Sequence, residues 1–419
     1  MNGKTLSVIG GGASGMAAAI EAARYAKNNN IDVNIIIYEK LPKIGKKILA
    51  TGNGRCNILN SEPQKGKFFG NKKFINTVLD KYNVENNVEF FMSMGLYLTH
   101  ETDGRLYPLS LQASSVLDAL RFELERLNVS IICDTQITSI NRTKNGFLLN
   151  DEIFTDSIII AGGGKSSSVH GSDGSCYDLL RSLSLKVNPV FPALTAIKLK
   201  KKDAALKGIR AHGEILIVEN GKVIASDCGE LQYTEYGISG IPAMNVSRHI
   251  AEHFQFNKKG KIIIAINSLP DFSPDEIFSY IINRSKSNPD LLCENLLSGL
   301  MPKKLGISKL QAANISPEST IGKLSRNQIA VLTEIINSQL FEISGTLGFE
   351  NSQVTAGGAD TSLFNPATLE CKRIENLFAC GEVFDVDAIC GGYNLTWAWS
   401  SGRCAGFNAI KKLSEKTDA

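Results

Sequence analysis

Four residues near the start of the chain have the types and spacing to hold a dinucleotide: Gly10, Gly12, Gly15 and Glu39. The glycines lie in Gly10-Gly11-Gly12-Ala13-Ser14-Gly15, directly after the apolar run Leu6-Ser7-Val8-Ile9 and before the small helix formers from Met16 to Ala26. In such a strand-to-helix turn the first glycine takes a conformation that a side chain blocks. The second lets a pyrophosphate approach the backbone, and the third lets the helix lie close on the sheet. The helix start then offers unbonded N–H groups and partial positive charge to the phosphates, with the Ser14 hydroxyl beside them. Glu39 ends the next strand, Val33 to Tyr38. A carboxylate there accepts the ribose hydroxyls of an adenosine and repels a 2′-phosphate, which favours FAD or NAD over NADP. The competing reading is a glycine-rich turn with no ligand; the strand–helix context and Glu39 weigh against it.

Two more stretches carry matching chemistry. Residues 43–60, KIGKKILATGNGRCNILN, form a glycine-rich, basic loop suited to run along a pyrophosphate and ribityl chain, with Lys47, Thr51, Gly52, Gly54, Arg55 and Asn57 lining it. Cys56 invites comparison with flavin-coupled dithiols, but the next cysteine is Cys133, so a small packed residue is the better reading. Near the far end, Leu377-Phe378-Ala379-Cys380-Gly381-Glu382 reads as a strand running into Gly-acid, and Cys390 to Leu395 opens a last long helix to about Lys412. An acid at Glu382 can hydrogen-bond ribityl hydroxyls. A helix N-terminus at Asn394 and Leu395 can stabilise negative charge on the pyrimidine edge of a reduced flavin. Ala161, Gly162 and Gly163 end a buried strand that would pass beside the same ring; Ala13, Lys40, Cys56 and Ile137 complete the expected cofactor set.

The positioning elements follow from pattern. Phe74 to Met94 reads as one surface helix and Ser114 to Leu127 as another, with a strand at Val129 to Cys133 and turns at Asp103-Gly104 and Asn145-Gly146. From Ala193 the runs Thr195–Leu199, Ala211–Val218 and Val223–Ala225 alternate as antiparallel β, Tyr233 to Pro242 reads as a polar loop, and Ile262 to Ile266 is a strand. Ser273 to Leu340 reads mostly helical, with Ser273-Pro274-Asp275-Glu276 as a helix start.

Composition sets outer bounds. The chain has 419 residues, 43% hydrophobic and 21% charged, with a net charge of +3. That suits a soluble globular protein and is too weak a charge to make nucleic acid or an anionic membrane the main partner. No apolar N-terminal run and no stretch long enough to span a bilayer is visible, and the nine cysteines hold no C-x-x-C pair. The expectation is a cytoplasmic, reduced protein with no membrane partner. The five histidines show no metal spacing beyond His249 and His253, which read as a solvated helix face, so no metal site is expected.

Taken in order, Gly10–Ala18, Gly45–Asn60, Gly104–Val116, Tyr233–Pro242, Val354–Ala359 and Gly381–Gly402 resemble the motifs of the BaiN-like, aminoacetone-oxidase-like family of FAD-dependent oxidoreductases. The resemblance covers nearly the whole chain. It implies an α/β fold: a Rossmann-like FAD-binding domain of the two-dinucleotide-binding type, over residues 1–191 and 346–419. It implies an insert over residues 192–345, β-rich and barrel-like over 192–267 and helical over 273–340. The sequence departs from the family pattern at Glu235, where His is usual, at Gln112 for Lys, at Thr396 for Gln, and across His170-Gly171-Ser172-Asp173.

The expected function is hydride transfer between flavin N5 and a small organic substrate lodged between the FAD domain and the insert. Tyr233, Glu235, Tyr236 and Ser239 are the candidate catalytic residues; a surface loop with no ligand is the competing reading for these four. No second dinucleotide fingerprint exists. Either NAD(P)H docks transiently near the flavin, or an amine or aminoketone substrate reduces it and oxygen reoxidises it. A reading of another class, a flavin-bound RNA-modification or binding factor, lacks a clear basic stripe. Oligomeric state is left open.

Overall fold

The computed structural model describes residues 3–62, 64 and 66–415. The chain divides into two compact units, one made of residues 1–191 and 353–419, the other of residues 192–352.

The first unit is built on a five-stranded parallel sheet in the order Leu377–Ala379, Ser157–Ile160, Lys4–Ile9, Val33–Tyr38, Ser130–Ile132. Leu6 and Val8 pair in register with Ile35 and Ile37 on one side and with Ser157 and Ile159 on the other. The inner strands read as near-continuous apolar runs because a parallel sheet is covered on both faces, whereas the edge strand Ser130–Ile132 is exposed. The fingerprint helix, Ala13–Asn28, buries mostly alanine. That lets the final helix, Tyr393–Glu415, come into backbone contact with it: a Cβ on Gly406 would lie 2.0 Å from the Ala18 carbonyl oxygen. Trp397 and Trp399 on this last helix are buried, and Trp397 lies in an aromatic cluster, edge-to-face with Phe384 and tilted against Phe74.

One surface helix was the expectation for Phe74 to Met94. The structure has two, Lys72–Lys81 and Val84–Met92, and both bury phenylalanine. The break falls where Asn83 leaves helical geometry and its side chain accepts from the Asn86 N–H at 2.9 Å. Asparagine competes with the helix in this way and favours a cap.

The second unit is a closed antiparallel barrel in the order Ile197–Leu199, Gly237–Ser239, Lys222–Tyr233, Arg210–Glu219, Ile262–Asn267, Gln339–Thr346. A helix, Ile241–Gln255, packs on it, and Pro274–Ser287, Lys303–Ala312 and Arg326–Asn337 follow. Ser273 and Glu276 form the capping box that the sequence advertises. Three local readings change. The last barrel strand, Gln339–Thr346, begins inside the stretch read as helical and lies beyond the β-rich part expected to end at residue 267. Residues from Val223 belong to one long strand reaching Tyr233, and the Tyr233 to Pro242 loop contains the short strand that closes the barrel. Ile238 supplies the reason: it is wholly buried and pairs with both Ile197 and Tyr233, so barrel closure overrides the polar look of the segment.

Candidate active site

The fingerprint turn has the geometry its glycines imply. Gly10 has φ of +110° and a Cβ there would meet the Ala161 carbonyl oxygen at 2.6 Å; one on Gly15 would lie 2.0 Å from the Gly10 carbonyl oxygen. Gly12 differs. A Cβ on it would meet nothing within 4 Å, so the backbone at the helix start faces open space. The first N–H groups of that helix have no intrahelical acceptor, and open space beside them is where a phosphate fits. Ala13 and Ser14 stand at this helix start.

Glu39 is almost buried. One carboxylate oxygen accepts from the Gly11 N–H and the other from the Leu41 N–H, each at 2.9 Å. Both bonds fix the carboxylate beside the turn, and each oxygen keeps a lone pair for a hydroxyl. Next to it, Lys40 Nζ lies 2.6 Å from Asp173. Burial opposes charge on Asp173, but hydrogen bonds from Lys40 and Ser175 prevail and hold its carboxyl down at about 2. Ile137 is a core residue, and Thr135, two positions before it, donates its N–H to the Glu39 carbonyl.

The two ends of the chain meet at a polar knot. Lys47 Nζ lies 2.8 Å from Glu382 Oε2, across 335 residues of sequence, while Glu382 Oε1 accepts from the Thr355 N–H at 2.9 Å. Thr355 is wholly buried and its hydroxyl oxygen accepts from the N–H groups of Lys165 and Ser166 at 2.8 and 3.0 Å. These bonds hold the chain just past Ala161, Gly162 and Gly163 against Glu382; a Cβ on Gly164 would sit 2.7 Å from its Oε1. Gly381 abuts the fingerprint helix, since a Cβ on it would meet Ser14 Oγ at 2.3 Å, and its carbonyl accepts from the Trp397 indole N–H at 3.0 Å. Glu39 and Gly381, the residue before Glu382, therefore both border the same glycine turn, through Gly11 and through Ser14.

The basic loop is held by left-handed backbone at Gly52, Asn53, Gly54 and Cys56. Cys56 is fully buried, and burial pushes its thiol up to about 12, which fits a packed residue and not a redox nucleophile. Thr51 donates its hydroxyl to the Ile48 carbonyl at 2.6 Å. Arg55 pairs with Glu101 and stacks 4.5 Å over the Tyr107 ring. Asn57, oriented to satisfy its partners, donates to the Leu59 carbonyl at 3.0 Å and accepts from the Gly392 N–H at 3.2 Å. Asn60 also reaches this helix start, donating to the Gly391 carbonyl at 2.7 Å. Asn394 is paired to both backbone groups of Ala388, at 2.9 Å each, with Leu395 following it at the start of the last helix. Sequence reasoning passed over Thr355, Asn60 and Asp173. Each lies in a stretch that the sequence marks, 354–359, 43–60 and 170–173, but none of the three has a local signature of its own role.

The four candidate catalytic residues lie in the second unit. Tyr233 sits in the barrel core, where burial pushes its phenol above the usual range. Glu235 is exposed and ion-paired to Lys207, and the hydrogen bond from Lys207 holds its carboxyl below the usual range. Tyr236 and Ser239 are half-buried; the Tyr236 carbonyl accepts from the Leu199 N–H at 3.0 Å, and Ser239 pairs with Gln232. Among the described residues no cluster of three metal-ligating side chains exists, and no helix is long and apolar enough to cross a membrane.

Fold and site together define a Rossmann-type oxidoreductase of the FAD-dependent class. The chain belongs to the family described as HI0933-like protein Rossmann domain, which matches residues 4–408. It is 38% identical over 412 residues to the 3-dehydro-bile acid delta(4,6)-reductase of Clostridium scindens, covering 97% of this chain and 99% of that protein. It is also 27% identical to the ribosomal RNA dihydrouridine synthase of Escherichia coli over 403 residues, covering 94% of this chain and 95% of that protein. The ribosomal RNA dihydrouridine synthase of Haemophilus influenzae is 27% identical over 406 residues, with the same coverage.

Proposed function

We propose that this enzyme saturates a carbonyl-conjugated C=C bond in a small organic substrate, with NAD(P)H as the source of electrons. The observation that carries the cofactor assignment is the open backbone at Gly12, with the Glu39 carboxylate bonded to the neighbouring Gly11 N–H and Gly381 against Ser14. The direction and bond type rest on the relatives: a delta(4,6)-reductase and two dihydrouridine synthases are each named for adding hydrogen across such a bond.

Bound FAD supplies the hydride. Gly10, Gly12, Ala13, Ser14 and Gly15 bind its phosphates through backbone amides, and Glu39 accepts from its adenosine ribose. Lys47, placed by Glu382, and the Gly381–Glu382 turn orient its ribityl chain, while the last helix start at Asn394 and Leu395 favours negative charge on the ring. In the second unit Tyr236 is the half-buried phenol suited to hand a proton to the substrate; Tyr233 is enclosed. Glu235, held ionised by Lys207, can accept a hydrogen bond but cannot act as an acid near neutral pH. Glu235→Gln is expected to lower kcat/KM about tenfold or more, the scale of one lost charge-assisted hydrogen bond. Unchanged turnover would reject its role.

The test is anaerobic. NADH or NADPH should bleach the flavin's visible absorbance, and an α,β-unsaturated ketone should restore it. Bleaching only by an amine points to an oxidase and overturns the proposal. A second reading, reduction of a uracil in RNA, draws on the two synthases. Against it, several barrel cations are already matched: Lys200 to Glu342, Lys207 to Glu235, Arg210 to Glu230. Dihydrouridine appearing in ribosomal RNA incubated with enzyme and NADPH, with no turnover of the ketone, would decide for RNA.

A further inference from the structure

Two strands of the barrel lack the alternation of a sheet with one face in water. Arg210–Glu219 contains Ile215-Leu216-Ile217-Val218, and Ile262–Asn267 contains Ile262-Ile263-Ile264-Ala265-Ile266. Unbroken apolar runs of this kind mark strands covered on both faces. Here one face is covered. Ile215, Ile217, Ile264 and Ile266 belong to the core of this unit, whereas Leu216, Val218 and Ile263 do not pack against it.

The strand register makes that second face continuous. Side chains alternate along a strand, so cross-strand partners share a face. Leu216 pairs with Ser226 and Ala265, Ala265 pairs in turn with Leu340, and Val218 pairs with Val223 and Ile263. Leu340 is 61% and Val223 57% exposed, while the small Ala265 is screened between larger neighbours.

Charge is laid out along the same strands. At one end Lys200 and Lys261 share a single acid, Glu342, at 3.6 and 3.2 Å, which leaves one positive charge in excess. Toward the other end, in the same alternation as Leu216 and Val218, stands Glu214, with uncharged Cys228 and Asn267 opposite it. A patch that is apolar in the middle and oppositely charged at its two ends is complementary to itself. A two-fold axis running across the strands turns the Glu214 end of one copy onto the lysine end of the other. An axis along the strands would set lysine against lysine. The carboxylates of Glu214 and Glu342 count against an anionic lipid surface as the occupant.

We infer that this barrel face is where a second copy of the chain docks, with Leu216, Val218, Val223 and Leu340 at the centre and Glu214 against Lys261 at each end. Four strands about 4.8 Å apart, over about five residues of about 3.4 Å each, give the face a footprint of about 300 Å². A standard interface buries about 800 Å² per partner, so this pair is a weak one, with a Kd of about 10–100 μM. The inference is independent of the reductase reading, because mass is measured without turnover.

Sedimentation velocity on the full-length, FAD-loaded protein from about 1 to 300 μM should show monomer passing to dimer. Leu340→Glu and Val223→Glu, each at an exposed position, should hold the protein as a monomer throughout, with FAD content and Tm unchanged. Glu214→Lys and Lys261→Glu should each weaken the dimer about tenfold or more. An equimolar mixture of those two variants should restore it, because both ends of the mixed pair again carry opposite charges. A monomer at every concentration, a dimer untouched by Leu340→Glu, or a mixture no tighter than its parents would overturn the assignment. Flotation of the monomer with phosphatidylglycerol vesicles would give the face to lipid and overturn it as well.

Discussion

At the scale of single residues, Gly12 separates ligand from fold. Its φ is −81° and a Cβ there touches nothing, so alanine is accepted by the protein itself. Gly12→Ala should leave the apo Tm where it is and weaken FAD about tenfold or more, the equivalent of about 1.4 kcal/mol, measured by flavin titration. A variant that binds FAD normally removes the phosphate from this turn. Lys309 makes a second residue-scale prediction. It is wholly buried, with Nζ donating to Gln339 Oε1 at 2.7 Å, and burial lowers its value to about 7 from an ordinary 10.5. Between those two values the unfolded chain binds the proton that the folded chain has released. Stability from this group therefore rises with pH across that window, and its penalty is fully present below about 7. Lys309→Met should raise Tm at pH 7 and flatten the rise of Tm toward pH 9, followed by thermal denaturation at several pH values. Parallel pH profiles for the two proteins would show that Lys309 is not the source.

Elements show why small residues matter twice. The fingerprint helix is lined with alanine, and the last helix answers with Gly402 and Gly406; a Cβ on Gly402 would meet the Ser14 carbonyl oxygen at 2.3 Å. Backbone lies on backbone here, so an added methyl has nowhere to go. Gly406→Ala should destabilise by about 1–3 kcal/mol in a urea titration. The same contact places Gly381 beside Ser14, so FAD affinity should fall with stability. An unchanged midpoint would mean that the two helices yield easily. The barrel teaches a related lesson. Ile238 looks like an isolated apolar residue in a polar loop, yet its burial between two neighbouring strands decides the element.

For the whole molecule, the first unit depends on both ends of the chain. Its edge strand, Leu377–Ala379, and its last helix come from the C-terminal part, and Lys47 reaches Glu382 across 335 residues. A nucleotide gripped by both parts should stabilise them together. FAD at about a hundred times its Kd should add about 2.7 kcal/mol to unfolding of this unit. No shift in the calorimetric transition would contradict a built cofactor site.

Sequence alone settled the glycine turn, the acid that follows the second strand, the Gly-acid pair near the end and the cap at Ser273. Each is a local rule: a backbone that tolerates no side chain, a carboxylate at a fixed offset, a hydroxyl that caps. The α/β class with an inserted barrel was legible for the same reason, because apolar runs and alternating runs mark different sheets. Tertiary structure decided what has no local signature. Thr355 matters through bonds to backbone 190 residues away and Asn60 through one 331 residues away, and Asn83 breaks a helix whose pattern continues through it.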